Sequence, residues 1–336
     1  MMSQRIVGLF IAQIAVILLL FVTDLMTGDS ALPARDVWAV LTGEPCSELT
    51  MHIVLSVRLL RAVVAILVGI SLSVSGLQMQ TVFRNPLADP YLLGVSSGAG
   101  LGVALFILGI PLIGSLGMPW LQPLGIAGAG WAGSAMVLLG VVFISRRVGS
   151  VMGVLIIGVM IGYVAGAIIQ ILQYLSSAEQ LKLFTLWSMG SLGQVTLVKL
   201  WVMLPIVGVG MVLAVRNIKA LNLFLLGESY ASTMGIRVKQ ARMYIFISTM
   251  LLTGTVTAFC GPIGFIGLAM PHVARMLFAN ADHRVLLPAC AGMGAVAMLL
   301  CDIVSKALVL PVNCIAALLG VPVIIWVIFK NLHVLR

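Results

Sequence analysis

Residues 84 to 94 read RNPLADPYLLG, placing Arg84, Asn85, Asp89 and two prolines between long apolar runs. Proline has no amide donor and biases the residue before it away from the helical region, so a helix arriving at Arg84 stops there. Within a bilayer, such interrupted backbone survives only where protein or a water-filled cavity supplies hydrogen bonds. The segment therefore reads either as a break where a cavity meets the cytoplasm or as an ordinary turn between helices.

The flanking runs identify the solvent. Of 336 residues, 61% are apolar and 9% charged, far outside the composition of a soluble domain. Apolar stretches near 6–23, 61–83, 92–113, 122–145, 151–175, 197–215, 240–260, 262–279, 285–304 and 312–329 predict ten spans of a hydrocarbon core about 30 Å thick. The 262–279 stretch holds Gly and Pro and fits a short or broken helix. Residues 1–24 are expected to be the first helix, since the apolar run after Arg5 exceeds a signal h-region and no A-x-A site follows. No linker or low-complexity tail divides the chain, so residues 1–336 are expected to form one membrane domain.

Orientation follows from the cations. With a cytoplasmic N-terminus, the inside receives Arg5, Arg84, Arg146, Arg147, Arg216, Lys219, Arg237, Lys239, Arg242, Arg275, Arg284, Lys330 and Arg336, and both termini are cytoplasmic. The outside keeps Arg35, Arg58, Arg61, Lys182, Lys199 and Lys306, with most of the acids. Topology thus accounts for the net charge of +9 without a nucleic-acid partner. The five cysteines form no C-x-x-C pair and read as small buried hydrophobes; no cluster has metal-ligand spacing, and His52, His272, His283 and His333 stand alone. No cofactor is implied.

Two polar stretches lie outside the spans. ALPARDVWAVLTG (31–43) predicts a short outer surface helix starting near Pro33. On the inner side, RNIKALNLFLLGESYASTMGIRVKQAR (216–242) is basic and amphipathic, too polar to cross and too apolar for a free loop. Within it Gly227 and Gly235 can end short helices, Glu228 can favour the turn between them, and Arg237, Lys239 and Arg242 can anchor the next span at the lipid surface. Such a projecting helix either lies flat on the membrane or seats in a groove on a soluble partner.

A weak repeat relates 69–94 to 249–277: small-residue helix, break with proline, second helix, with the first break expected to face the cytoplasm and the second outward. Stripes at Gly94/Gly98/Gly102 and Gly158/Gly162/Gly166 allow close helix packing within a subunit. GAGWAG (128–133) matches a dinucleotide fingerprint in letters only, for it lies inside an apolar helix with no strand before it. No P-loop motif occurs, so the chain cannot bind ATP in that way. Asp302 and Lys306, one turn apart, can pair near the outer end of the ninth span. The sequence holds no cluster of midplane charges, which disfavours an ion-coupled secondary transporter, and no paired nucleophile and base, which disfavours an intramembrane enzyme.

GLQMQTVFRNPLADPYLLGVSSGAGLG (76–102), GESYASTMGI (227–236), GPIGFIGLAMPHVAR (261–275), DHRVLLP (282–288) and ALLGVPVIIW (317–326) together resemble the FecCD family over nearly the whole chain. These are permeases of bacterial ATP-driven importers for ferric siderophores, haem and cobalamin. The resemblance implies an all-α polytopic bundle of about ten helices in the inner membrane and a homodimer with its path on the two-fold axis. It also implies two cytoplasmic ATPase subunits, an external solute-binding protein and no catalysis in this chain. By the same likeness, Gly227, Glu228, Ala231, Gly235 and Arg237 couple to the ATPase. Asn85, Pro86, Leu87, Ser150 and Val151 lie at the cytoplasmic gate, and Arg58, Arg61 and Lys306 meet acidic groups of the binding protein. The chain departs from the pattern at Leu60, where the family has proline, at Val309, where it has an acid, and at Asn313, where it has glycine.

Overall fold

The computed structural model describes residues 4–28, 32–109, 122–147 and 151–332, which are helical with no strand. The helices are α1 (Gln4–Met26), α2 (Ala34–Thr42), α3 (Glu48–Val82), α4 (Val95–Gly109), α5 (Gln122–Arg147), α6 (Val151–Leu175) and α7 (Ala178–Ser188). They continue with α8 (Leu197–Arg216), α9 (Ile218–Leu226), α10 (Glu228–Thr233), α11 (Val238–Cys260), α12 (Ile266–Phe278), α13 (His283–Leu308) and α14 (Val312–Leu332). Six are long and apolar enough to cross a membrane, and four shorter apolar helices occupy the other expected spans.

Helix α3 is the centre of the bundle. Its 35 residues would extend about 50 Å at the α-helical rise. It packs on α13, α12 and α11, while α4 packs on α5 and α6, and α11 joins the two groups. Small residues make these approaches possible. Gly69 abuts Gly294 of α13 and Gly76 abuts Gly267 of α12, backbone against backbone, so a methyl group at either position has no room. Most of the stripe glycines pack within the subunit, Gly94 facing the Gly158 carbonyl and Gly98 facing Gly133 and Val137, whereas Gly166 meets no neighbour. The false dinucleotide motif is thus part of the α4–α5 contact.

Where α3 meets α11 and α13, several buried polar side chains bond to one another or to backbone across the helices. Gln78 Nε2 donates to Ser248 Oγ at 3.0 Å, and Thr249 Oγ1 donates to Gln78 Oε1 at 2.9 Å. Thr253 Oγ1 donates to Ser75 Oγ at 2.8 Å, and Ser73 Oγ to the Cys290 carbonyl at 2.6 Å. In hydrocarbon no water would satisfy these groups, so the network holds the helices in one register.

Of the cysteines, Cys260, Cys290 and Cys301 are buried as expected, whereas Cys314 is exposed on the subunit surface and Cys46 is half-buried. Cys314 departs from the expectation because it lies on the outward face of α14, with Leu318 and Leu319 also exposed nearby.

Candidate translocation gate and partner surfaces

The first break spans 83–94, and its geometry explains each polar residue in the opening motif. Arg84 turns the chain with φ 48°. Asn85 Oδ1 accepts from the Leu87 amide at 2.9 Å, and Asp89 Oδ1 accepts from the Tyr91 amide at 2.8 Å, starting a short 3₁₀ turn at Pro90–Leu93. Asn85, Pro86 and Leu87 are exposed on the subunit. The Pro86 carbonyl accepts from His272 Nε2 at 2.8 Å, which fixes that ring nitrogen as the protonated one and gives His272 a structural role. Ser150 lies outside the described residues; Val151 begins α6.

The second break, 261–265, turns at Gly261 and at Phe265, which has φ 67°. The two breaks, expected to face opposite sides, touch each other through one side chain. The Tyr91 hydroxyl donates to the Ile263 carbonyl at 2.8 Å and accepts from the Ile263 amide at 3.0 Å. Asn313 Oδ1, one of the departures from the family pattern, accepts from the Gly264 amide at 3.0 Å. Backbone groups freed by one break are thus satisfied by the other and by α14, as a low-dielectric setting demands.

The inner polar stretch forms two short helices, α9 and α10, hinged at Gly227 with φ 113° and closed at Gly235 with φ 81°. Side chains other than glycine are strained at both angles. Ala231 is fully buried and Arg237 exposed, while Leu226, Tyr230 and Met234 present an apolar surface. One expectation is corrected. Arg242 does not lie at the lipid surface: it is 2% exposed and donates to Glu228 Oε1 at 2.5 Å. One turn into α11, it faces α10 rather than lipid, and a buried guanidinium needs a carboxylate. Close by, Asp282 caps α13. Its carboxylate accepts from the Arg284 amide at 2.9 Å and the Asn222 side chain at 2.7 Å, which hold it below the usual carboxylate range, the amide most strongly.

At the end of the bundle where α1 finishes, Lys306 Nζ lies 2.9 Å from Asp24 Oδ2 and 2.8 Å from Asp302 Oδ2, while Arg61 Nε donates to Asp302 Oδ1 at 2.7 Å. The pairing of Asp302 with Lys306 was legible from their spacing; the part played by Asp24, at the end of α1, was not. These residues join α1, α3 and α13 in a cluster whose formal charges cancel. The expectation that Arg58, Arg61 and Lys306 all present solvated charge is corrected: Arg58 is 3% and Lys306 4% exposed. The cause for Arg58 lies in its backbone. Residues Ile53–Leu59 wind as a π-helix, and Arg58 Nη1 donates to the Leu25 carbonyl at 2.9 Å. The helix runs on unbroken because Leu60 replaces the family's proline and donates its amide to the Val57 carbonyl. Arg61 remains partly exposed in a cavity of about 310 Å³, with Ser191, Gln194 and Val309 in its wall. Val309 is exposed, in the left-handed region at φ 54°.

Among the described residues no group of His, Cys, Asp and Glu could hold a metal ion. A membrane-crossing bundle whose two broken segments clasp each other, with a short helical pair projecting at one end, defines a transport permease. The chain belongs to the FecCD transport family, which it matches over residues 16–330. It is 37% identical over 314 residues to the hemin transport system permease protein HmuU of Yersinia pestis, covering 90% of each chain. To the vitamin B12 import system permease protein BtuC of Citrobacter koseri it is 33% identical over 327 residues, covering 96% of this chain and 94% of that one. A solved inward-facing metal-chelate type ABC transporter superposes with a TM-score of 0.79 at 28% identity, over 96% of this chain and 99% of the other. The protein is therefore a multi-pass inner-membrane permease subunit of an ATP-driven importer, a component of transport rather than a catalyst. Permeases of this kind work with ATPase and binding-protein partners.

Proposed function

We propose that this chain, as one membrane domain, forms a homodimer that imports a metal chelate of the haem, cobalamin or ferric-siderophore class along its two-fold axis. Two separate cytoplasmic ATPase subunits hydrolyse ATP, an external binding protein delivers the cargo, and both termini face the cytoplasm. The observation that carries this reading is the unbroken family match over 16–330, with break and projecting helices where such a permease needs them. Asn85, Pro86 and Leu87, with Ser150 and Val151 on the next inner loop, form the cytoplasmic gate. Gly227, Glu228, Ala231, Gly235 and Arg237 form the coupling element: Ala231 and the Glu228–Arg242 pair fix α10 to α11, leaving Tyr230 and Met234 to meet the ATPase. At the outer mouth Arg61 meets an acidic group of the binding protein, and the buried Arg58 and Lys306 hold the surrounding helices in place.

Uptake of haem, cobalamin and a ferric siderophore into proteoliposomes tests the reading. Transport of one of them is expected only with ATP, ATPase and binding protein together; uptake driven by an ion gradient without the ATPase would overturn it. Gly235→Pro, which cannot adopt φ 81°, is expected to leave insertion intact and to reduce coupled uptake at least about tenfold.

A further inference from the structure

Beside the gate, and sharing Pro86 with it, lies a cavity of about 370 Å³. Its wall holds Gln80 from the last turn of α3, Arg84 and Pro86 from the first break, His272 and Arg275 from α12, and Leu225 from α9. Arg275 Nη1 donates to Gln80 Oε1 at 2.7 Å, and Gln80 Nε2 in turn donates to the Leu268 carbonyl at 3.0 Å. The Gln80 amide is thereby locked with its oxygen on the guanidinium. The other Arg275 donors are not spent on that bond, since a guanidinium carries five. Arg84 lines the same cavity from an exposed, left-handed turn. Among the described residues neither guanidinium forms an ion pair with a carboxylate. This contrasts with Arg61, Arg242 and Lys306, each of which does.

We propose that this cavity binds a phosphate group, presented by an anionic phospholipid headgroup or free in solution. Two guanidinium forks facing one cavity match the oxygens of a phosphate, and a half-buried cation gains most from an anion that also accepts its hydrogen bonds. The position fits a headgroup. The cavity lies at the C-terminal end of α3, the end assigned to the cytoplasm by the proposed orientation, and basic pockets between membrane helices near the cytoplasmic surface bind anionic headgroups. Leu225 supplies an apolar edge toward the coupling helices. A bound phosphate would tie α12 and the gate loop together through Arg275 and Arg84, beside the existing His272–Pro86 bond.

The test uses the purified, delipidated full-length protein, whose phosphate binding does not depend on the transport reading or on which side the cavity faces. Native mass spectrometry measures retention of phosphatidylglycerol against phosphatidylcholine, and equilibrium dialysis measures inorganic phosphate. Roughly tenfold preference for phosphatidylglycerol is expected, lost in Arg84→Gln, an exposed position whose replacement leaves the fold intact. Arg84-dependent binding of inorganic phosphate without lipid preference would support the site and assign it to the soluble source. Arg275→Gln should abolish both, and if that variant does not fold, Arg84→Gln decides alone. No Arg84-dependent retention of either probe overturns the proposal. Loss of ATPase association in Arg84→Gln without phosphate or lipid binding also overturns it, in favour of a protein carboxylate.

Discussion

Two clusters of cations, one near each end of the bundle, are handled in opposite ways. At the outer end, Arg61 and Lys306 meet Asp302 and Asp24 inside the subunit, and the carboxylates are fully buried. At the inner end, Arg84 and Arg275 line an open cavity without a carboxylate between them. A buried charge must be compensated within the fold, whereas one at an open mouth can await a partner from outside. Buried Lys306 therefore belongs to the architecture, as does Arg242 with Glu228, whereas the partly exposed Arg61 and the cavity-lining Arg84 and Arg275 can meet a partner from outside.

The sharpest way to break this contrast is Lys306→Ala, which leaves Asp302 paired with Arg61 and strips buried Asp24 of its ion pair with Lys306. A loss of about 3–5 kcal/mol is expected from denaturant or thermal unfolding in detergent. Less than about 1 kcal/mol would mean that the outer cluster is hydrated and resembles the inner end after all. Tyr91→Phe probes the middle of the molecule, where neither rule applies: it strips both Ile263 backbone groups of their partner, for about 1–3 kcal/mol. An unchanged unfolding midpoint would show that water or another group replaces the hydroxyl. The smallest effect is expected for Arg84→Gln, within about 0.5 kcal/mol of wild type by the same unfolding measurement. A large loss there would place Arg84 with the outer, structural cations.

What could be read in advance was local in sequence. Apolar length located the spans, the prolines of NPLADP located the break, and Gly227 and Gly235 marked the ends of the projecting helices. Asp302 and Lys306 are one turn apart, so their pairing was legible too. The partners that were missed are distant in the chain: Arg61 and Asp302 are 241 positions apart, and Lys306 and Asp24 are 282. Burial of Arg58 was not legible either, because residues Ile53–Leu59 wind as a π-helix, which changes the phase of the helical face. Arg242 lay close to two other cations that suggested a lipid-facing anchor, yet its own helical face points at Glu228.

The polar seam on α3 also sets an order of assembly. Ser73 bonds to a carbonyl 217 positions downstream, Ser75 to Thr253 across 178, and Gln78 to Ser248 across 170. A ribosome making this chain delivers the central helix early and its partners only after most of the remaining protein has been synthesised. Until then Ser75 can bond the Leu72 carbonyl of its own helix, whereas Gln78 still lacks the Ser248 and Thr249 hydroxyls that hold it in the finished bundle. The mast is raised before its stays exist, and completing the bundle is one late event, gated by the arrival of α11 and α13.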